Sequence, residues 1–251
     1  MQKSALHVLQ ITDTHIVAAE KGTRSRADTR ASFKAVKSAA LALRPKYDLI
    51  LVTGDLAAES EAAAYEWLAE QFEAFAAPVY YLPGNHDAVD TMQPVLGAAG
   101  WCCCGSYTVG GWHIVLLDSS VLGEAHGYLG DAELERLDDA LSRHPEVPTM
   151  VSLHHHPILM ESRWMDTMRL LSPERFWGVI DRHAHVRCVL WGHVHQNFDA
   201  YRNGVRLLAT PSTGVQFAPG SVDFAIDPLP PGFRRLRLSP DGDIETDVIR
   251  V

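Results

Sequence analysis

The stretch "YDLILVTGDL", residues 47–56, sets the reading of the chain. Its short apolar run, ending at Thr53, reads as a β-strand buried on both faces. Gly54 follows at once, the residue type used where the backbone must pass close to a neighbour or take a positive φ. Asp55 then places a carboxylate at the carboxyl end of the strand.

Similar runs recur on both sides. "HVLQI" (7–11), "PVYYLP" (78–83), "HIVLLD" (113–118), "PTMVSLH" (148–154) and "HVRCVLW" (185–191) also read as strands. Helical patterns lie between most of them. Phe33, Val36, Ala40 and Leu43 repeat at steps of three and four, as do Tyr65, Leu68, Phe72 and Phe75, and Leu134, Leu137 and Leu141, so each stretch has one apolar face. Asp131 is expected to cap the third helix, and "SPE" at 172–174 to open a fourth with a cap, a proline and an acid. Beyond residue 191 the pattern turns strand-rich, with "VRLLAT" (205–210), "VDFAI" (222–226), "FRRLRL" (233–238) and "DIETDVI" (243–249). The fold class is therefore α/β with a strand-rich C-terminal part, and residues 1–251 read as a single domain because no repeat or linker divides them.

Polar residues gather where the apolar runs end. Asp13 and His15 follow the first run, Asp55 the second, and Asn85, His86 and Asp87 the third, while His154, His155 and His156 and then His193 and His195 follow two later ones. Open α/β sheets place their ligand crevice at the carboxyl ends of the strands, so these groups are expected to converge. Aspartate, asparagine and histidine together form a mixed oxygen and nitrogen donor set, which suits Mn, Fe, Co or Zn better than a thiolate or all-oxygen site. Asp13, His15, Asp55, Asn85, one histidine of the triplet, His193 and His195 are too many for one ion, but serve two ions that share a carboxylate. Gly54, Gly84 and Gly192 precede ligand positions and mark sharp strand exits.

Bulk properties narrow the choice. A net charge of −9 without a Lys/Arg cluster argues against nucleic acid as a partner. No apolar stretch approaches the roughly 20 residues of a membrane span, and no leader pattern opens the chain, so a cytoplasmic protein is expected. Cys102, Cys103 and Cys104 are adjacent and Cys188 is distant, which reads as reduced, partly buried thiols rather than a zinc site. His7, His113, His144, His183 and His185 read as ordinary surface or core histidines, and His126 as a loop residue that hydrogen-bonds locally or approaches a substrate.

The ordered series D-x-H, GD, GNHD, a histidine after a strand, and G-H-x-H resembles the calcineurin-like metallophosphoesterase superfamily. The surrounding words "LQITDTH", "LPGNHD", "LLDSS", "HGYL", "LHHHP", "GHVHQ" and "LLATPST" are similar to the bacterial class III 3′,5′-cyclic-AMP phosphodiesterases. The resemblance covers roughly residues 8–250 and implies a β-sandwich flanked by helices, in αββα layers. It implies one metal held by Asp13, His15, Asp55 and His195, and a second held by Asp55, Asn85, His154 and His193, with Asp55 bridging. Fe2+/Fe3+ or Mn2+ is the expected pair, with Zn2+ or Co2+ as alternatives. It also implies that His86 contacts the phosphate and protonates the leaving oxygen, with Asp87 orienting it, and that Asn85, His86, His195 and His156 are on the substrate side.

Hydrolysis by a water or hydroxide between the metals, opening the ring of cyclic AMP at its 3′ oxygen, is the expected reaction. Other phosphodiesters, such as 2′,3′-cyclic nucleotides, glycerophosphodiesters or nucleoside diphosphate derivatives, are the alternative within enzymes. A metal-binding interaction module without catalysis is the alternative outside them, and a monomer or homodimer acting on a small phosphodiester is the expected state. For the triplet, strand alternation leaves His154 and His156 both open. The family pattern selects His154, leaving His156 as a support or substrate-side group and His155 as a packed neighbour. The segment "EKGTRSRADTR" (20–30), and the end of the chain at Val251 directly after a strand, depart from the subfamily pattern, which bears on substrate preference and subunit contacts.

Overall fold

The computed structural model describes residues 4–18 and 28–251, so most of the departing first-loop segment, residues 20–27, lies outside the described residues. In chain order the elements are β1 (Leu6–Ile11), α1 (Thr29–Ala42), β2 (Leu49–Thr53), α2 (Ala62–Phe72), a 3-10 turn (Glu73–Phe75), β3 (Val79–Leu82), α3 (Val89–Ala98), β4 (Gly105–Val109), β5 (Trp112–Leu116), α4 (Asp131–Arg143) and β6 (Thr149–Leu153). They continue with α5 (Arg163–Asp166), α6 (Pro173–Ile180), β7 (Val186–Trp191), β8 (Phe198–Arg202), β9 (Val205–Ala209), β10 (Gln216–Phe217), β11 (Ile226–Asp227), β12 (Gly232–Leu238) and β13 (Ile244–Arg250).

Two sheets carry the architecture. One has the order β13-β12-β1-β2-β3 and the other β4-β5-β6-β7-β9-β8. Strands β1, β2 and β3 are parallel, as are β5, β6, β7 and β9, so both sheets point their carboxyl ends the same way along each parallel set. The C-terminal hairpin of β12 and β13 joins the first sheet antiparallel to β1.

Three apolar layers follow from the alternation of side chains. Leu51, Ile114, Met150, Leu190 and Leu236 fill the space between the sheets. Ile50, Val52 and Tyr81 face outward onto Phe33 and Val36 of α1, Leu68 of α2 and Leu96 of α3. Val151, Leu153 and Val189 face outward onto Leu137 of α4 and Phe176 of α6. Burying each large aliphatic or aromatic side chain contributes roughly 1.5–3 kcal/mol, and β2 and β6, which lead to Asp55 and His154, are buried throughout on both faces. The αββα arrangement implied by the family resemblance is the one observed.

Several local readings differ. Asp131 is the first residue of α4 rather than its cap; Gly130 stands in that place, and the Asp131 carboxylate pairs with Arg175 instead. Ser172 precedes α6 without a side-chain cap bond, although Pro173 opens the helix as expected. Of "VDFAI" only Ile226 lies in a strand, the two-residue β11. Pro219 lies before this segment, and Pro228, Pro230 and Pro231 follow it; none has an N–H with which to continue a ladder. Helix α3 was not expected, because Pro94 interrupts its pattern from within.

Candidate dinuclear metal centre

The site is assembled from turns that leave β1, β2, β3, β6 and β7. Asp13, His15, Asp55, His193 and His195 all have positive φ, at 53°, 42°, 53°, 66° and 49°. Such left-handed backbone costs free energy for non-glycine residues and persists only where surrounding bonds impose it. Here they do. Asp13 N–H donates to the Gly54 carbonyl and His15 N–H to the Asp55 carbonyl, each at 3.0 Å. His193 N–H donates to both Asp13 oxygens, at 3.1 and 3.0 Å. Gly54 has φ 93°, and a Cβ there would run into the His154 ring; a Cβ on Gly192 would collide with Thr12 Oγ1 and stand 2.9 Å from Asp13 Oδ2. Gly84 abuts Asp55 in the same way.

The side chains converge. Asp55 Oδ2 lies 3.6 Å from His15 Nε2 and 3.4 Å from His154 Nε2. His195 Nε2 lies 3.3 Å from Asp13 Oδ1 and 3.3 Å from His15 Nε2, while His193 Nδ1 lies 3.2 Å from His154 Nε2. Ligand atoms of Asp13, His15 and His195 fall within 4.8 Å of one another, as do those of Asp13, Asp55 and His154. Asp55 thus stands between a His15 side and a His154 side.

Hydrogen bonding decides which ring nitrogens face inward. A carbonyl can only accept, so His154 Nδ1 carries a proton and donates to Thr53 O at 2.8 Å, and His195 Nδ1 donates to Val215 O at 2.7 Å. When these rings are neutral, their Nε2 lone pairs point at carboxylate oxygens that also only accept. Acceptor facing acceptor at 3.3 and 3.4 Å calls for a cation between them. Asn85 Oδ1 and His193 Nε2 are further buried atoms without a hydrogen-bond partner. The donor set contains no cysteine in any cluster among the described residues, so it fits a borderline divalent ion.

Electrostatics agree with that reading. Burial alone would raise Asp13 and Asp55, but the charge of His195 on Asp13, and of His154 on Asp55, outweighs it and holds both carboxyls below their usual range. Burial opposes charge on His154, yet Asp55 beside it lifts its pKa to about 9, so a proton occupies the cation's place in the metal-free chain. Burial depresses His15 to about 4 and pushes His193 well down. Both are neutral imidazoles, the form that ligates.

His86 is exposed, its ring edge-on to His15 at 4.8 Å, and its N–H donates to Asp55 Oδ1 at 2.9 Å. Its Nδ1 lies 3.3 Å from the Ala58 carbonyl, not from Asp87. The expected Asp87–His86 pair is not formed, because Asp87 accepts from Leu56 N–H, Ala57 N–H, Gly84 N–H and Tyr65 O–H at 2.9 to 3.2 Å. Asp87 ties the turn after β3 to the turn after β2. Burial and the charge of Asp55 raise its pKa to about 6 against those bonds.

All three histidines of the triplet are fully buried. His155 Nδ1 bonds Ser119 Oγ at 2.8 Å, as a packed neighbour would. His156 lies stacked on His193 with centroids 5.6 Å apart and has Nε2 3.6 Å from Asp166, so it packs behind the ring of a ligand candidate. His126 lies in a loop with Nδ1 3.6 Å from Glu124. Supporting residues missing from the sequence reading are Thr12, whose hydroxyl donates to Asp13 Oδ2 at 2.7 Å, Ser212, which donates to the Asp13 carbonyl at 2.7 Å, and Phe217, stacked on His195 at 4.0 Å. Thr12 stands next to a ligand and Ser212 lies in "ATPST", but nothing in their types marks them out.

The sequence profile of calcineurin-like phosphoesterases matches residues 6–197, a span that holds every one of these ligand candidates. The chain belongs to this family. Among relatives of this calcineurin-like phosphoesterase, the 3′,5′-cyclic adenosine monophosphate phosphodiesterase CpdA of Escherichia coli K12 is 40% identical over 250 residues, covering 99% of this chain and 91% of its own. That of Pseudomonas aeruginosa is 40% identical over 244 residues, covering 97% and 89%. That of Vibrio vulnificus is 38% identical over 252, covering 100% and 92%. In fold, the phosphoesterase is similar to a dimetal phosphatase from Danio rerio, with a TM-score of 0.68 at 15% identity over 98% of this chain and 99% of the other. No helix among its described residues is long and apolar enough to cross a membrane.

Proposed function

We propose that this phosphoesterase hydrolyses 3′,5′-cyclic AMP to 5′-AMP at a centre of two divalent metal ions. The observation that carries the reading is Asp55. In a chain 40% identical to cyclic-AMP phosphodiesterases, its carboxylate stands 3.6 Å from one histidine and 3.4 Å from another, on two sides.

Asp13, His15, Asp55 and His195 would hold the first ion, and Asp55, Asn85, His154 and His193 the second, with Asp55 shared. Mn2+ or Fe2+/Fe3+ suits this donor set, with Zn2+ and Co2+ as further candidates. Bound there, the ions supply positive charge that draws in phosphoryl oxygens and acidifies water toward neutral pH.

The chain's own groups do the rest. Asp13 and Asp55 are kept ionised at neutral pH, and the carbonyls of Thr53 and Val215 fix the tautomers of His154 and His195. His86 stands exposed beside Asp55, where its ring can give a proton to the departing 3′ oxygen as the phosphorus–O3′ bond breaks and water oxygen joins phosphorus. Asn85 and His195 flank the same phosphoryl group, and Asp87 keeps His86 in place through the turn it braces. Residues 1–251 act as one domain in this reading, as a monomer or homodimer in the cytoplasm.

A turnover panel tests it. With Mn2+ or Fe2+, 3′,5′-cyclic AMP should give 5′-AMP with a higher kcat/KM than 3′,5′-cyclic GMP, 2′,3′-cyclic AMP or bis(p-nitrophenyl) phosphate. Turnover of the last compound alone overturns the substrate assignment.

A further inference from the structure

A cavity of about 480 Å³ opens directly beside Asn85 and His86. It lies between the start of α3, at Val89 and Asp90, and the loop Ser120–Gly123 that follows β5. Its size falls in the range of about 300–1,000 Å³ typical of small-molecule sites. Among the described residues, no lysine or arginine lines it, and Asp90 adds an exposed carboxylate. Beyond His86, which faces the reacting phosphate, these walls offer no cation to a second phosphate and suit an uncharged group with hydroxyl donors and an apolar face.

The loop is held in place while its tip is bare. Asp118 Oδ1 accepts from the N–H and hydroxyl of Ser120, at 2.9 and 2.6 Å. Ser119 is fastened to buried His155, and Glu124 N–H closes a turn onto the Val121 carbonyl at 3.0 Å. Leu122, at the tip, is 97% exposed and touches no core. Together with Val121 it gives the cavity beside Asn85 and His86 an apolar edge.

We infer that this cavity receives the nucleoside half of the substrate, with the base beneath Leu122 and Val121 and the ribose beside Ser120 and Asp90. The enzyme thereby selects a phosphodiester whose remaining group is uncharged over a nucleoside diphosphate derivative. This rests on the cyclic-nucleotide reading above.

Leu122→Ser is a suitable probe, since so exposed a residue can change without disturbing the fold. Steady-state kinetics with Mn2+ compare 3′,5′-cyclic AMP with base-free ribose 3′,5′-cyclic phosphate. The wild-type chain should have the lower KM for cyclic AMP. Leu122→Ser should raise that KM about tenfold with little change in kcat, and move the KM of the base-free compound less than about twofold. Asp90→Lys should raise kcat/KM for a nucleoside diphosphate sugar relative to cyclic AMP. Phe224→Ala, on the aromatic side with Trp164 and Phe217, serves as the control and should leave KM unchanged. Equal shifts for both cyclic phosphates, or a tenfold effect at Phe224 in place of Leu122, overturn the inference. Turnover of both compounds with equal KM removes this inference alone, whereas turnover of neither removes the substrate reading and this inference with it.

Discussion

The backbone N–H of His193 donates to both carboxylate oxygens of Asp13, across the seam between the two sheets. Asp13 therefore has two tasks, as a ligand candidate and as the acceptor for a buried amide. Asp13→Ala should remove at least one metal ion per chain, counted by elemental analysis. It should also destabilise the metal-free protein by about 1–3 kcal/mol in chemical denaturation, because that amide loses its partner. Unchanged metal-free stability would contradict the second task.

Asp55 faces His15 on one side and His154 on the other. Asp55→Ala should lower bound metal from two ions toward one or none and reduce kcat by about 10³ or more. A variant that still carries two ions refutes the shared carboxylate.

His86 touches the site from its open side and is not among the ligand candidates. His86→Ala should keep both ions while kcat falls about 10²-fold or more. Near wild-type turnover rules out its acid role.

His113 carries the clearest pH signature away from the centre. It is fully buried in β5, with the His144 ring 4.5 Å away. Burial, and then the charges of His144 and His185, lower its pKa from 6.5 to about 4. Between these values the unfolded chain binds a proton that the folded chain refuses. Stability is thus fully present above about pH 6.5, falls as pH drops toward 4 and levels off below, by up to about 3 kcal/mol. His113→Leu should flatten the stability curve across that window; an unaltered slope would count against the assignment.

Much of this site was legible because its ligand candidates stand one to four residues beyond buried apolar strands, and strand ends are what periodicity locates best. Leu49 to Thr53 announced Asp55, and Val186 to Trp191 announced His193. The supporting partners were less legible for a physical reason. Asp87 meets backbone amides of Leu56 and Ala57, and His195 meets the carbonyl of Val215, and backbone groups have no residue type to read. His156 could not be separated from His154 by alternation, since residues two apart fall on one face of a strand; the stacking on His193 shows its place. Helix α3 stayed hidden behind Pro94, and Val222 to Ala225 looked like a strand, though between flanking prolines it makes only one backbone bond, from Ala218 N–H to the Ala225 carbonyl, before the short β11.

The ligand candidates are divided between the layers, with Asp13, His15, Asp55 and Asn85 leaving the five-stranded sheet and His154, His193 and His195 leaving the six-stranded one. Neither sheet by itself presents a full coordination set. Ions bound there would weld the open end of the sandwich, so added metal should raise the stability of the folded chain. At a hundredfold excess over Kd, one such ion adds about 2.7 kcal/mol to the folded state. A chelator should act on such a centre as a denaturant aimed at one seam.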